Sequence, residues 1–299
     1  MAKREKPARF IQNTIALVYD FDGTLTPQPM QAYTVLKDLG IRSDTFWDEV
    51  EAEEKRTHGD RILTYMRLLI DRAERGELHW NPQAFKRMGR SVEYYPGVER
   101  WFDRINAHVA RASARKVRVK HYVISSGMKE ILDGIRIRRR FARIYACEYF
   151  FDQHQRPIFP KVVINDTNKT QFLFRINKGR EDLDESINEY MPESIRPIPF
   201  SNILYIGDGL TDVPCMTVTK KHGGHAVAVH RSRSAPAIDT CRQLLDGGRI
   251  DYFAPADYRE GKLLDKRVRL ILDLMVARIR CEREAFACRR EAQRRRQDD

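Results

Sequence analysis

The chain lacks any uninterrupted apolar stretch approaching the ~20 residues that a membrane-spanning helix needs. The opening segment MAKREKPARF is charged, and no apolar core of a signal peptide follows it. The expectation is therefore a soluble, cytoplasmic protein with no membrane partner. Cysteine is scarce: five residues (147, 215, 241, 281, 288), an odd number with no C-x-x-C pair. Neither a disulfide framework nor a cysteine zinc site follows from that pattern. His222 and His225 lie close together, but in a glycine-rich turn without neighbouring ligands, and are read as turn residues. No internal repeat is present, and low complexity is confined to the arginine-rich tail.

The chain has 299 residues, 42% of them hydrophobic, enough for a large core domain with a smaller one attached. Its net charge of +12 is unevenly spread. Residues 102 to 143 hold twelve Lys/Arg against three Asp/Glu, and residues 259 to 299 hold thirteen against eight. The segment 27 to 94 is nearly balanced, eleven against twelve. Such a surface favours anionic partners, phosphorylated metabolites or nucleic acid among them. The cluster RIRRRFAR at 136–143 reads first as a solvated face beside core-facing Ile135, Ile137 and Phe141, so nucleic acid is the less favoured partner. Cys281 and Cys288 stand a heptad apart on one helix face and are read as packing residues.

Short apolar runs alternate with helical patterns. TIALVYD (14–20), VRVKHYVISSGM, SNILYIG and GHAVAVH read as buried strands. YYPGVERWFDRINAHVARA, residues of about 128 to 141, KTQFLFRINKG and the charged end from about 261 to 296 read as helices. ARIYACEYFFD and RPIFPKVVIND read as extended segments around a turn. Strand–helix alternation predicts an α/β, Rossmann-like parallel sheet with helices on both faces. Residues 27 to 94 break the pattern: TFWDEVEAEE and RILTYMRLLIDRAERGE have helical spacing and strands are absent. They are expected to form a helical unit of three or four helices, with 1–26 and 95–299 forming the core.

Three of the strands end in polar residues: Asp20 and Asp22, Ser125, and Asp208 followed by Asp212. In a parallel sheet these ends converge on one edge, where ligands bind. A pair of like charges at a strand end is tolerable when a hard cation neutralises it, and Mg²⁺ takes carboxylate, water and phosphate oxygens. Asp20 and Asp208 suit that role. Ser125 can donate to a phosphoryl oxygen, and Lys169 can neutralise charge on a group in transfer. Backbone near Gly23 and Gly127 can approach a phosphate closely. An aspartate can be phosphorylated, and a second carboxylate two residues on can pass protons. Other readings stay open: Ser125 and Asp212 as helix caps, Thr24 as a turn cap or a phosphate contact, Lys169 as a solvated residue with Lys161 or Lys178 in its place.

The segments DFDGTLT, VISSG, NKTQF and YIGDGLTD resemble, in order, the four motifs of the haloacid dehalogenase-like phosphohydrolases, spanning residues 15 to 212. The resemblance implies Asp20 as nucleophile and Asp22 as general acid/base. It implies Mg²⁺ held by Asp20, the Asp22 carbonyl and Asp208, and phosphate bound by Ser125, Lys169, Thr24 and Gly127. Asp212 would support the metal or orient Lys169. Helices inserted at 27–94 resemble the family's cap. The phosphoserine phosphatase-like branch is the nearest in style, yet PQPMQAY lacks the acidic residue that reads an amino group, and the second motif reads Ser-Ser-Gly.

The expected function is Mg²⁺-dependent hydrolysis of a small phosphomonoester through an aspartyl-phosphate. The alternatives are a phosphotransferase or nucleic-acid-end phosphatase, and a non-catalytic partner-binding protein on the same fold. Trp47, Arg61, Tyr65, Arg67 and Tyr95 are candidate pocket residues. The sequence names neither the substrate nor the oligomeric state.

Overall fold

The computed structural model describes residues 9–76, 78–232 and 234–298. Most of the charged opening segment lies outside them. Strand β1 (Thr14–Tyr19) is buried from Ile15 to Tyr19 without alternation. A strand that is apolar on both faces belongs at the centre of a sheet covered on both sides. Five helices follow within residues 27–94: α1 (Met30–Tyr33), α2 (Val35–Asp38), α3 (Ser43–Thr57), α4 (Arg61–Arg75) and α5 (Pro82–Met88). Asp60 caps α4 by accepting from the amides of Ile62 and Leu63, and Asn81 caps α5 with Pro82 at the first helical position. Phe46, Val50, Tyr65, Met66, Leu69 and Phe85 on these helices join one apolar cluster that continues into the sheet.

Helix α6 (Val98–Ala112) leads into β2 (Arg118–Met128), which pairs parallel with β1. The single helix expected over about 128 to 141 is broken. One turn, α7 (Lys129–Leu132), is followed by a separate 3-10 turn at Arg138–Arg140. The physical reason is a backbone crossing: a Cβ on Gly134 would lie 1.7 Å from the carbonyl oxygen of Lys86, so α5 occupies the space a continuing helix would need. Ile135, Ile137 and Phe141 are buried as expected.

Strands β3 (Arg143–Phe151) and β4 (Pro157–Val162) form the antiparallel edge hairpin. Then follow α8 (Lys169–Lys178), closed by Gly179 in the left-handed region at φ 66°, β5 (Ile203–Gly207), α9 (Val213–Lys221) and β6 (His225–His230). Helix α10 (Ala235–Asp246), β7 (Tyr252–Pro255) and α11 (Leu263–Asp298) complete the chain. The seven-stranded order is β4-β3-β2-β1-β5-β6-β7, parallel except at β3–β4. The order turns about β1: β2 lies on one side and β5 on the other. That is the topological switch point, and the carboxyl ends of β1, β2 and β5 carry Asp20, Ser125 and Asp208. Among the described residues, no helix is long and apolar enough to cross a membrane.

Candidate active site

The site begins with a turn that only glycine permits. After β1 the chain passes Asp20 and Asp22 and bends at Gly23, whose φ is 78°. The Gly23 amide donates to the Thr26 carbonyl at 2.8 Å, which folds the segment back on itself. A Cβ at Gly23 would sit 2.0 Å from Oδ2 of Asp208, so the bare backbone lets the β5 carboxylate lie directly over the β1 turn.

Lys169, at the first position of α8, reaches this point from below. Its Nζ donates to Asp20 Oδ1 at 2.8 Å and to Asp212 Oδ1 at 2.9 Å, and the residue is 1% exposed. Lys161 instead pairs with Glu148, and Lys178 bonds the carbonyls of Ile187 and Glu189. Asp212 is fully occupied as a positioning group. Its Oδ1 also accepts from Tyr205 Oη at 2.7 Å, and its Oδ2 accepts the Asp208 amide at 3.1 Å. It makes no helix-cap bond. A Cβ on Gly207 would meet Asp212 Oδ2 at 2.2 Å, which explains the glycine before Asp208.

Asp20, Asp208 and Asp212 offer oxygens that all lie within 4.8 Å of one another. Burial pushes the Asp20 carboxyl up to about 6 against the pull of Lys169, with Asp212 adding repulsion. Burial and the charges of Asp20 and Asp212 raise Asp208 well above the usual range. Burial and the Asp20 charge push Asp22 up to about 8. Burial alone would depress Lys169, but the two carboxylates outweigh it and hold the ammonium well above its ordinary value. The donor set is thus all hard oxygen, crowded, and short of positive charge, with three carboxylates facing one ammonium. That is the chemistry a divalent Mg²⁺ satisfies. Since Asp212 is taken by Lys169, Tyr205 and the Asp208 amide, Asp20 and Asp208 are the carboxylates that fit it.

An open cleft of about 700 Å³ leads to these groups. Asp20, Asp22, Ser125, Lys169 and Asp208 line its floor. Its outer wall comes from the inserted helices, through Gln31, Trp47, Glu54, Arg61 and Tyr65, and from the loop Asn165–Thr167. Of the candidate pocket residues, Trp47, Arg61 and Tyr65 line the cleft. Arg67 is turned aside by Glu53 and Asp71, and Tyr95 is not part of the lining. Ser125 accepts from the Gly127 amide at 3.0 Å. Gly127 itself does not line the cleft: a Cβ there would meet Met30 Cε at 2.0 Å, so packing against Met30 accounts for this glycine. Thr24 is also outside the lining; it is fully buried, with its hydroxyl unbonded and its carbonyl accepting from Tyr258. Asp22 accepts the Met30 amide at 2.8 Å and so ties the turn to α1.

The sequence reading did not single out Gln31, Glu54, Asp60 or Asn165. Asn165 Nδ2 donates to Asp60 Oδ2 at 3.1 Å, and Tyr65 Oη donates to the Ser126 carbonyl at 2.8 Å, so both tie α4 to the sheet edge. Gln31 is 2% exposed and its Oε1 has no partner. No local pattern marks such residues, because their neighbours are distant in sequence. His222 stacks on Phe200 and His225 lies beside Asp251, in keeping with structural roles.

No protein-family model matches the chain. Solved structures do. A HAD family hydrolase of Salmonella enterica serovar Typhi aligns with a TM-score of 0.56 over 89% of this chain and 73% of its own, at 16% identity. A phosphoserine phosphatase in a form mimicking its phospho-aspartyl intermediate gives 0.53 over 86% and 99%, at 12% identity. A probable phosphoserine phosphatase of Vibrio cholerae gives 0.54 over 90% and 68%, at 13% identity. The fold is therefore that of the haloacid dehalogenase-like hydrolases, of the phosphoserine phosphatase kind. Within it, the chain belongs to one family with an uncharacterized protein of Borreliella burgdorferi, 30% identical over 278 residues, 85% of this chain and 94% of that protein.

Proposed function

We propose that the protein is a cytoplasmic Mg²⁺-dependent phosphatase that hydrolyses a small phosphomonoester through a phosphorylated Asp20. The observation that carries this reading is the buried Lys169 ammonium bridging Asp20 and Asp212 at the floor of a cleft that Asp22, Ser125 and Asp208 share. A non-catalytic protein has no need to hold an unbalanced carboxylate cluster at an open cleft.

Asp20 Oδ1 is held by Lys169, which leaves its other oxygen to attack phosphorus. The new acyl phosphate bond forms as the ester P–O bond breaks. Asp22, whose raised pKa keeps it protonated near neutrality, gives its proton to the departing alcohol oxygen. The Asp22 carboxylate then takes a proton from water as that water attacks the phosphorus. Phosphate leaves, and the Asp20 carboxylate and Asp22 acid are restored. Ser125 and Lys169 bind the phosphoryl oxygens. Asp20, Asp208 and the Asp22 carbonyl are the residues that would hold Mg²⁺, which supplies charge neutralisation for an arriving dianion. The helices of residues 27–94 act as the cap that selects the alcohol, latched to the core by the Asp60–Asn165 and Tyr65–Ser126 contacts.

The test is phosphate release from p-nitrophenyl phosphate and a panel of phosphorylated metabolites with Mg²⁺. Asp20→Asn and EDTA should each abolish it. Asp22→Asn should slow turnover by about 10²–10⁴-fold, the worth of a positioned proton donor. A wild-type protein that releases no phosphate across the panel refutes the proposal.

A further inference from the structure

Residues 104 to 129 contain seven Lys/Arg and no Asp/Glu. Most of the other basic residues of this region find acids: Arg104 meets Asp265, Lys129 and Arg138 meet Asp133, Arg136 meets Glu99, Arg140 meets Asp103 and Arg143 meets Asp182. In the 136–143 cluster only Arg139 is left without a carboxylate at ion-pair distance among the described residues. Arg111, Arg115, Lys116, Arg118 and Lys120 are different. All are exposed, and none has a carboxylate at ion-pair distance among the described residues.

They lie where α6 turns into β2. Across from them runs α11, and between the two is a cleft of about 630 Å³ lined by Arg111, Lys116, Arg280 and Arg283, with Glu284 its single acid. Arg280 is likewise exposed and unpaired, and Arg283 donates to the Lys116 carbonyl rather than to an acid. The C-terminal dipole of α6 amounts to about half a charge. It attracts one cation and leaves the rest unexplained. The turn holds two consecutive non-glycine residues in the left-handed region, Ala114 at φ 48° and Arg115 at φ 60°.

We propose that this cleft is a nucleic-acid binding site that grips the phosphate backbone without reading sequence. A small anion would be satisfied by the cations inside the cleft, whereas here the unpaired charges continue outward through Arg115, Arg118 and Lys120, as a linear polyanion requires. The site is separate from the phosphatase centre. Arg118 begins β2 and Ser125 lies toward its end, seven residues on, which at the usual strand rise is about 23 Å. Binding here therefore tethers the enzyme to a polyanion while the catalytic cleft stays open.

The test is fluorescence anisotropy of labelled RNA and DNA oligonucleotides, single-stranded and duplex, titrated against the full chain at several salt concentrations. Wild type should bind with an affinity that falls steeply with salt, a log–log slope of about −3 to −5. The triple variant Arg111→Gln, Lys116→Gln, Arg280→Gln should bind at least 10-fold more weakly, with a shallower slope and an unchanged melting temperature. The variant touches no catalytic group, so its phosphate release should match wild type. The proposal is overturned if wild type binds no oligonucleotide at low salt, or if the triple variant binds as well. It is equally overturned if pyrophosphate displaces the oligonucleotide at matched concentration, or if vesicles of anionic lipid bind in its place.

Discussion

Lys169 shows how one residue can hold a site together by electrostatics alone. Two carboxylates, Asp20 and Asp212, share its ammonium at the nearly closed floor of the cleft. Taking one partner from a buried charge set leaves the others uncompensated, at a cost of roughly 3–5 kcal/mol. Lys169→Met should therefore lose phosphate release and be destabilised by about 3 kcal/mol at pH 8, read by urea unfolding. The penalty should shrink near pH 5, because Asp20, with a pKa already raised to about 6, then takes a proton and no longer needs the cation. Gly23 makes a different point: its replacement strains the turn and collides with Asp208. Gly23→Ala should keep the fold, judged by circular dichroism, and lower kcat/KM at least 10-fold. The NKTQF segment favoured Lys169, but the sequence left Lys161 and Lys178 open, since all three lie near one another in the chain. Only the start of α8 beneath β1 separates them.

At the scale of elements, the strands were legible because β1, β5 and β6 are short, apolar runs and β2 carries the apolar run Tyr122–Ile124 just before Ser125. Helix α8 was legible through its closing glycine. The helix expected over 128–141 was not, because the α5 backbone that blocks it comes from forty residues earlier. Strand β7 and helix α10 went unread: YFAP is only four residues long, and α10 buries only Cys241 and Leu244, too few to mark a helical stripe. A buried network between elements also escapes any periodicity. Trp101 Nε1 donates to Tyr19 Oη at 2.9 Å, and His121 Nε2–H donates to Asn106 Oδ1 at 3.0 Å, which leaves His121 Nδ1 to accept from the Tyr19 hydroxyl at 3.0 Å. The imidazole must stay neutral, and burial depresses its pKa to about 3. The unfolded chain binds that proton near 6.5, so stability is whole above that pH. It should fall by roughly 1.4 kcal/mol for each unit below it until about 3. His121→Asn should flatten this acid limb in denaturant titrations run from pH 7 to pH 4.

For the molecule as a whole, three separated strand ends, at Asp20, Ser125 and Asp208, could be placed on one sheet edge from the sequence, because parallel strands all deliver their carboxyl ends to the same side. The cleft wall and the contacts of Asp60 and Tyr65 with Asn165 and Ser126 could not, since they depend on how α3 and α4 lie over that edge. The convergence leaves the metal-free protein carrying a stored repulsion. Asp208 has its carboxyl raised by burial and by Asp20 and Asp212, which means the ionised form is disfavoured in the folded state and favoured in the unfolded one. At neutral pH that difference subtracts from stability. Neutralising the position should thus help the fold and hurt the site. Asp208→Asn is expected to melt at a higher temperature than wild type in EDTA. Added Mg²⁺ should raise the wild-type melting temperature, since a ligand at 100 times its Kd contributes about 2.7 kcal/mol to the folded state. The same addition should leave Asp208→Asn unmoved. Differential scanning calorimetry of both proteins, with and without Mg²⁺, reads all four values. Equal Mg²⁺ shifts in the two proteins would place the cation elsewhere and remove Asp208 from its binding.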